Sequence, residues 1–155
     1  DAYEKIQAGI NEIKKADNEK VLNAQNAMRR ELLMRREEII GDVFGKAREK
    51  LKEFMLTDEY IGWLDKKLSD AEKITGNGKL RVYVRSDDEE KINYVIKNRA
   101  GTETEYITQK LDNADFMGGI KVENTENAIL VDYSFEELLD AAKSDFLQKS
   151  GLRIG

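Results

Sequence analysis

The stretch from Ala2 to Leu56 contains no proline and no cluster of turn-forming residues, and this constrains the fold more than any other feature of the sequence. Its three glycines, Gly9, Gly41 and Gly45, are isolated. We therefore expect one long helix, weakened near Gly41 and Gly45. Such a helix measures about 80 Å, whereas a domain of about 100 residues is only a few tens of Å across. An apolar stripe usually packs on its own domain, but most of a stripe this long has to contact another chain.

Apolar residues recur along this helix at steps of eleven residues. One register is Ile10, Val21, Leu32, Val43 and Phe54, and its neighbour is Leu22, Leu33, Phe44 and Met55. A third register, Ile6, Asp17, Met28, Ile39 and Lys50, is apolar in three of its five places. Eleven residues in three turns is about 3.67 residues per turn, which predicts a right-handed or nearly straight coiled coil. The expected partner-binding seam is Ile10, Val21, Leu32, Val43, Ile6, Met28 and Ile39.

Charge excludes several kinds of partner. Arg29, Arg30, Arg35 and Arg36 suggest an anion or lipid site, but glutamates lie beside them, so we interpret the segment as a solvated helix face of mixed charge. The formal net charge of -5 argues against nucleic-acid binding. No segment approaches the roughly 20 apolar residues that span a bilayer. We expect a cytoplasmic protein that does not insert into the membrane directly.

Shorter elements follow Leu56. A helix is predicted from Thr57, where Asp58 and Glu59 favour a helix start, to Thr75, and alternating residues predict a strand over 80–85. Capping-box spacing from Ser86 to Glu89 predicts a helix that ends near Gly101. A strand over 102–111, a hairpin containing Ile120, Val122, Ile129 and Val131, and a helix capped by Ser134 complete the order. The predicted fold class is α+β: an extended N-terminal helix, residues 1–56, and a globular head with a small mixed sheet packed by helices, residues 57–155.

The sequence offers little for catalysis. It has no histidine and no cysteine, so the usual general base, the commonest metal ligand and any disulfide are missing. The glycines at 76–78 lie between a helix and a strand, which is the reverse of a phosphate-binding loop. The acidic pairs Asp87 with Asp88, and Asp112 with Asp115, are more typical of capping or solvated loops than of acid–base catalysis. We expect no catalytic residue, no cofactor and no metal site.

The segment Met117-Gly118-Gly119-Ile120-Lys121-Val122-Glu123, the strand ending at Val131-Asp132, and Ser134-Phe135-Glu136 opening the last helix resemble the E subunit of archaeal and bacterial V-type/A-type ATPases. The long charged helix and the strand Leu80-Arg81-Val82-Tyr83-Val84 extend this resemblance over essentially the whole chain. Two details depart from the family pattern: Tyr133 precedes Ser134, and Leu138 stands where an arginine is expected.

The resemblance implies a noncatalytic peripheral-stalk subunit, or stator. Its long helix would pair with the second stalk subunit, of G or H type, and its head would bind catalytic-head subunits of A or B type. The motif residues Met117, Gly118, Gly119 and Phe135 are the expected head contact. It also implies a longer arm, so we expect that part of the arm is missing here. Two alternatives stay open: a coiled-coil adaptor or stator of a flagellar-type export ATPase, and a small enzyme using carboxylates.

Overall fold

A computed structural model describes residues 1–99 and 103–149 of the chain. Within these residues the first element is α1, Ala2–Phe54. The helix is continuous through Gly41 and Gly45, where a weakening is predicted. A glycine inside a helix costs only about 1 kcal/mol relative to alanine, and two isolated ones do not break a helix of this length.

The remaining elements follow the predicted order. They are α2 (Glu59–Thr75), β1 (Lys79–Val84), a 3₁₀ turn (Ser86–Asp88), α3 (Glu89–Lys97), β2 (Glu105–Lys110), β3 (Gly119–Asn124), β4 (Ile129–Ser134) and α4 (Phe135–Lys149). The long N-terminal helix and the small mixed sheet confirm the α+β class. The end of the predicted third helix at 100–101, the start of the predicted strand at 102, and the part of the last helix from 150 onward lie outside the described residues.

The strands form one sheet in the order β2-β1-β3-β4. Strand β1 pairs parallel with β2, so that Leu80 lies opposite Tyr106, and antiparallel with β3, so that Val82 lies opposite Val122. Strands β3 and β4 form the predicted antiparallel hairpin. A helix connects the parallel pair because adjacent parallel strands need a long crossover rather than a tight turn.

The described residues divide into two units, which we call the N-terminal unit (Asp1–Val43) and the C-terminal unit (starting at Phe44). The core of the C-terminal unit consists of alternating residues from the two central strands and one face each of α2 and α3. Its fully buried members include Leu64, Leu68, Leu80, Val82, Val84, Ile92, Ile120 and Val122. Met55, just after the end of α1, belongs to this core, and Leu51 and Phe54 pack against it.

Helix α2 begins at Glu59, within the start predicted from Thr57, Asp58 and Glu59. Asp58 forms no side-chain cap, and the Thr57 hydroxyl donates a hydrogen bond of 2.7 Å to the Phe54 carbonyl. The capping box predicted at Ser86 is wrong, because the Ser86 hydroxyl bonds to the carboxylate of Asp112 rather than to its own helix. The cap predicted at Ser134 is confirmed, because the Ser134 hydroxyl accepts a hydrogen bond of 3.3 Å from the Glu137 N–H.

Candidate partner-binding surfaces

The predicted seam residues on α1 lie at the surface. Ile10, Val21, Leu32 and Val43 are between 40 and 58% exposed. The flanking residues Ile6, Met28 and Ile39 are exposed as well, as are Leu22 and Leu33 of the neighbouring register. A regular helix places residues eleven apart on one side, because three turns contain nearly eleven residues. The N-terminal unit therefore presents a row of exposed apolar side chains along one side of the helix.

One residue of the N-terminal unit departs from this pattern: Ile40 is only 5% exposed. Ile40 is the buried residue of α1. Its aliphatic neighbours along the seam, Ile39 and Val43, are exposed. The seam residues themselves stay a predicted interface, since exposure alone identifies no partner.

The second predicted contact, in the C-terminal unit, is mostly internal. Gly118 and Gly119 are buried, and each has a structural reason to be glycine. Gly119 has φ +84, and a Cβ there would collide with the Tyr133 carbonyl; a Cβ on Gly118 would collide with the Met55 sulfur. The double glycine thus allows the start of β3 to lie directly against β4 and the residues after α1.

Phe135 is also buried, at 1% exposure. Its ring centroid lies 5.1 Å from that of Trp63 and 5.8 Å from that of Tyr60. Its N–H donates a hydrogen bond of 3.0 Å to the Gly118 carbonyl, which ties α4 to the turn before β3. Trp63 therefore packs against the core as part of an aromatic cluster.

Met117 is the half-buried member of the predicted head contact. It lines a groove together with Arg48, Ala114, Asp115, Glu136, Leu139 and Asp140. Its N–H donates a hydrogen bond to the Glu136 carboxylate. Because Phe135 and the two glycines are buried, a partner docking here would contact Met117 and the rim of the groove, and the buried residues would support that surface from beneath.

Sequence reasoning missed a buried polar network centred on Asp88, which is fully buried. The carboxylate accepts a hydrogen bond of 2.8 Å from the Tyr60 hydroxyl and two, of 2.9 and 2.7 Å, from the Arg85 guanidinium. The Tyr60 oxygen in turn accepts a hydrogen bond of 3.0 Å from the Gly119 N–H. The network therefore joins α2, the turn before α3 and the start of β3.

Lys91 extends this network to the end of the long helix. Its ammonium lies 3.7 Å from Asp88 and donates a hydrogen bond of 3.1 Å to the Met55 carbonyl. Burial, and secondarily the charge of Asp88, raises the pKa of Tyr60 above its ordinary value, so the phenol stays protonated and can donate. Hydrogen bonding to Asp88 likewise raises the pKa of Arg85. The spacing Arg85-x-x-Asp88 was the available sequence signal, but nothing in the sequence indicated Tyr60.

One member of each acidic pair considered for catalysis has structural partners. Asp88 is fixed by its ion pair with Arg85, and Asp112 accepts hydrogen bonds from the Ser86 backbone and hydroxyl. These hydrogen bonds lower the pKa of Asp112. Among residues 1–99 and 103–149 there is no group of three or more acidic side chains placed to hold a metal ion. In the same part of the chain, no helix combines the length and the apolar character needed to cross a membrane.

Comparison with protein families gives an independent result. A model of the ATP synthase (E/31 kDa) subunit family matches residues 2–150. The chain belongs to this family. Membership of the E-subunit family confirms the resemblance seen in the sequence, and it places the chain among the stalk subunits of an ATPase complex. No match was found among the curated proteins.

Proposed function

We propose that this E-subunit family member is a noncatalytic stator subunit of a prokaryotic V-type or A-type rotary ATPase. It links the catalytic head to the membrane sector from the cytoplasmic side and resists rotor torque while ATP synthesis or hydrolysis is coupled to ion transport. The observation that carries the proposal is the row of exposed apolar residues at eleven-residue spacing on the N-terminal unit. In this function the chain contributes stiffness and contacts, and no catalytic group.

The first step is the pairing of α1 with the second stalk subunit. An isolated helix gains little from intrinsic propensity and is stabilised mainly by packing of its apolar face. Removing a valine or leucine side chain from water stabilises a complex by roughly 1.5 to 3 kcal/mol. A partner helix that follows Ile10, Val21, Leu32 and Val43 would bury the row along its whole length. This packing would stabilise α1 as one helix of a stiff coiled coil.

The second step is docking of the head on the A-type or B-type subunits. We place this contact at Met117 and the groove around it, with Gly118, Gly119 and Phe135 shaping it from within. We also propose that the head folds without the arm. The boundary that fits the packing is near Phe44, since Met55 and its neighbours belong to the core of the C-terminal unit.

The test measures binding of the second stalk subunit to a double variant of this chain, Val21→Glu with Leu32→Glu. Each change loses apolar burial and adds the desolvation cost of a charge, so two of them weaken binding by several orders of magnitude. The matched control is Ala16→Glu with Ala27→Glu, which adds the same charges at the same spacing on the opposite side of the helix. Calorimetric titration should show binding by the wild type and the control and none by the seam variant. Equal binding by the seam variant contradicts the proposal.

A further inference from the structure

The seam of the N-terminal unit has an unusual distribution of charge. Residues four apart on a helix lie side by side, so the eleven-residue rows that contain Ile10, Lys14, Asn18 and Leu22 form one face about a third of the helix wide. Within residues 1–43 these four rows contain fifteen residues. The members are Tyr3, Gln7, Ile10, Asn11, Lys14, Asn18, Val21, Leu22, Gln25, Arg29, Leu32, Leu33, Arg36, Ile40 and Val43.

None of these fifteen residues is acidic, although the same 43 residues contain nine acidic side chains. Three are basic: Lys14, Arg29 and Arg36. The row on the edge of the seam, which contains Ile6, Met28 and Ile39, has a single carboxylate, Asp17. The arginines at 29, 30, 35 and 36 therefore divide between two faces. Arg29 and Arg36 lie on this face, in the rows between the apolar rows of Ile10 and Leu22, and the other two lie outside it.

The two seam arginines have no carboxylate within reach along their own helix. The neighbours of Arg29 and Arg36 at three and four residues on either side are neutral in every case. In the part of the chain that the structure describes, neither arginine nor Lys14 forms an ion pair. A helix packed on this face would bring its own side chains against these cations.

Pairing of two copies through this face is disfavoured by its charge. In an in-register parallel pair Lys14, Arg29 and Arg36 would each face themselves, and in an antiparallel pair the face provides no carboxylate to neutralise them. Like charges that face each other at a coiled-coil interface disfavour that pairing, whereas opposite charges favour pairing with the chain that carries them. The same apolar row with carboxylates at the facing positions would bind without this repulsion.

From this geometry we infer that the seam is built for a helix of a different chain that carries carboxylates opposite Lys14, Arg29 and Arg36. The inference rests on the proposed stator function, and it specifies the chemistry of the partner and the exclusion of a second copy. The apolar rows provide most of the binding, and the three cations determine which helix is accepted. Lys14 and Arg29 are exposed in the unpaired helix and Arg36 is half-buried. Salt therefore screens their attraction to the partner's carboxylates, and their contribution weakens as salt is added.

The experiment uses a charge-reversed copy of the chain as the acidic probe. The variant with Lys14→Glu, Arg29→Glu and Arg36→Glu carries carboxylates where the wild type carries cations. We expect each chain alone to sediment as a monomer, and the mixture to associate at least about tenfold more tightly than either alone at low ionic strength. Circular dichroism should show a gain of helix on mixing, and high salt should reduce the association.

The matched control is Lys20→Glu with Arg30→Glu and Arg35→Glu, which changes one lysine and two arginines outside the face. Its mixture with the wild type should show no gain over the separate chains. The inference is overturned if the control mixture associates as well as the seam mixture, or if the seam mixture associates no more tightly than its components.

A second arm separates this inference from the stator proposal. The seam-reversed chain is titrated with the second stalk subunit, and we expect at least about tenfold weaker binding than for the wild type. If the wild type and the reversed chain bind equally well, the charge inference fails and the apolar pairing stands. If the wild type does not bind the second stalk subunit at all, the stator proposal fails, and the mixing experiment still decides whether the face selects an acidic helix.

Discussion

The two units of this protein use the same kinds of apolar side chain in opposite ways. Leu64, Val82 and Ile120 of the C-terminal unit are fully buried, whereas Leu32 and Val21 of the N-terminal unit are more than half exposed. The C-terminal unit consists of short strands and helices whose apolar faces pack against one another. The N-terminal unit is one helix, and a single helix cannot cover its own stripe. The comparison teaches that apolar content alone does not identify a core, because the spacing of the residues decides what covers them.

The largest expected difference between the units follows from truncating a large apolar side chain in each. Phe135→Ala should lower the free energy of unfolding of the C-terminal unit by about 3–5 kcal/mol, since it empties a site within the Tyr60–Trp63 cluster. Leu32→Ala should change it by less than about 0.5 kcal/mol in the isolated chain, because the side chain is 58% exposed. Urea unfolding followed by Trp63 fluorescence measures both.

The control for this pair is Phe135→Leu, which keeps much of the volume and should cost less than about 1.5 kcal/mol. A large effect of Leu32→Ala in the isolated chain would remove the contrast between the units. So would a negligible effect of Phe135→Ala.

A smaller effect is expected from the buried network of the C-terminal unit. Tyr60→Phe removes the donor to Asp88 and the acceptor of the Gly119 N–H, so it should destabilise this unit by about 1–3 kcal/mol. Tyr94→Phe is the matched control, because Tyr94 is 59% exposed. The check is a thermal melt of both variants beside the wild type. Equal melting of all three proteins would mean that the network does not stabilise the fold.

The smallest expected effect concerns pH and the exposed carboxylate of Asp112. Hydrogen bonds from Ser86 lower its pKa from the ordinary value of 3.8, so the folded state binds the proton less tightly than the unfolded chain does. Its stabilising contribution is therefore present above pH 3.8 and is lost as the pH falls through the lower pKa of the folded state. An NMR titration of the Asp112 carboxyl carbon, repeated with Ser86→Ala, measures this. The variant should titrate closer to 3.8 than the wild type, and identical titration curves would rule out the Ser86 hydroxyl as a cause.

The elements of both units could be predicted because their local signals are clear. The lack of proline and of turn-forming clusters over residues 2–56 predicted the long helix, and alternation over Leu80, Val82 and Val84 predicted a central strand. The capping box at Ser86 was wrong because a local sequence pattern cannot show that a distant side chain, Asp112, 26 residues from Ser86, competes for the hydroxyl. For the same reason the contact of Gly118 with Met55 could not be predicted, since it depends on how the chain returns to the end of α1.

The two candidate surfaces also differ in how much of each could be predicted from the sequence. A helix repeats its face regularly, so the seam residues and the placement of Lys14, Arg29 and Arg36 follow from the sequence once the helix is known. In the head, Met117 and the double glycine were found by resemblance to a family, but their burial was not foreseen. The buried pairing of Tyr60 with Asp88 joins residues 28 positions apart, and only the folded packing of α2 on the sheet reveals it.

Hydrogen–deuterium exchange on the intact chain, with and without the second stalk subunit, tests the central claim most directly. In the isolated chain the amides of residues 2–43 should exchange quickly, while those of β1 and β3 in the core should be slow. Adding the second stalk subunit should slow exchange along Ile10 to Val43 by orders of magnitude and leave β1 and β3 unchanged. The account is contradicted if residues 2–43 are as protected as the core without a partner, or if the partner protects β1 and β3 and leaves the seam exchanging as before.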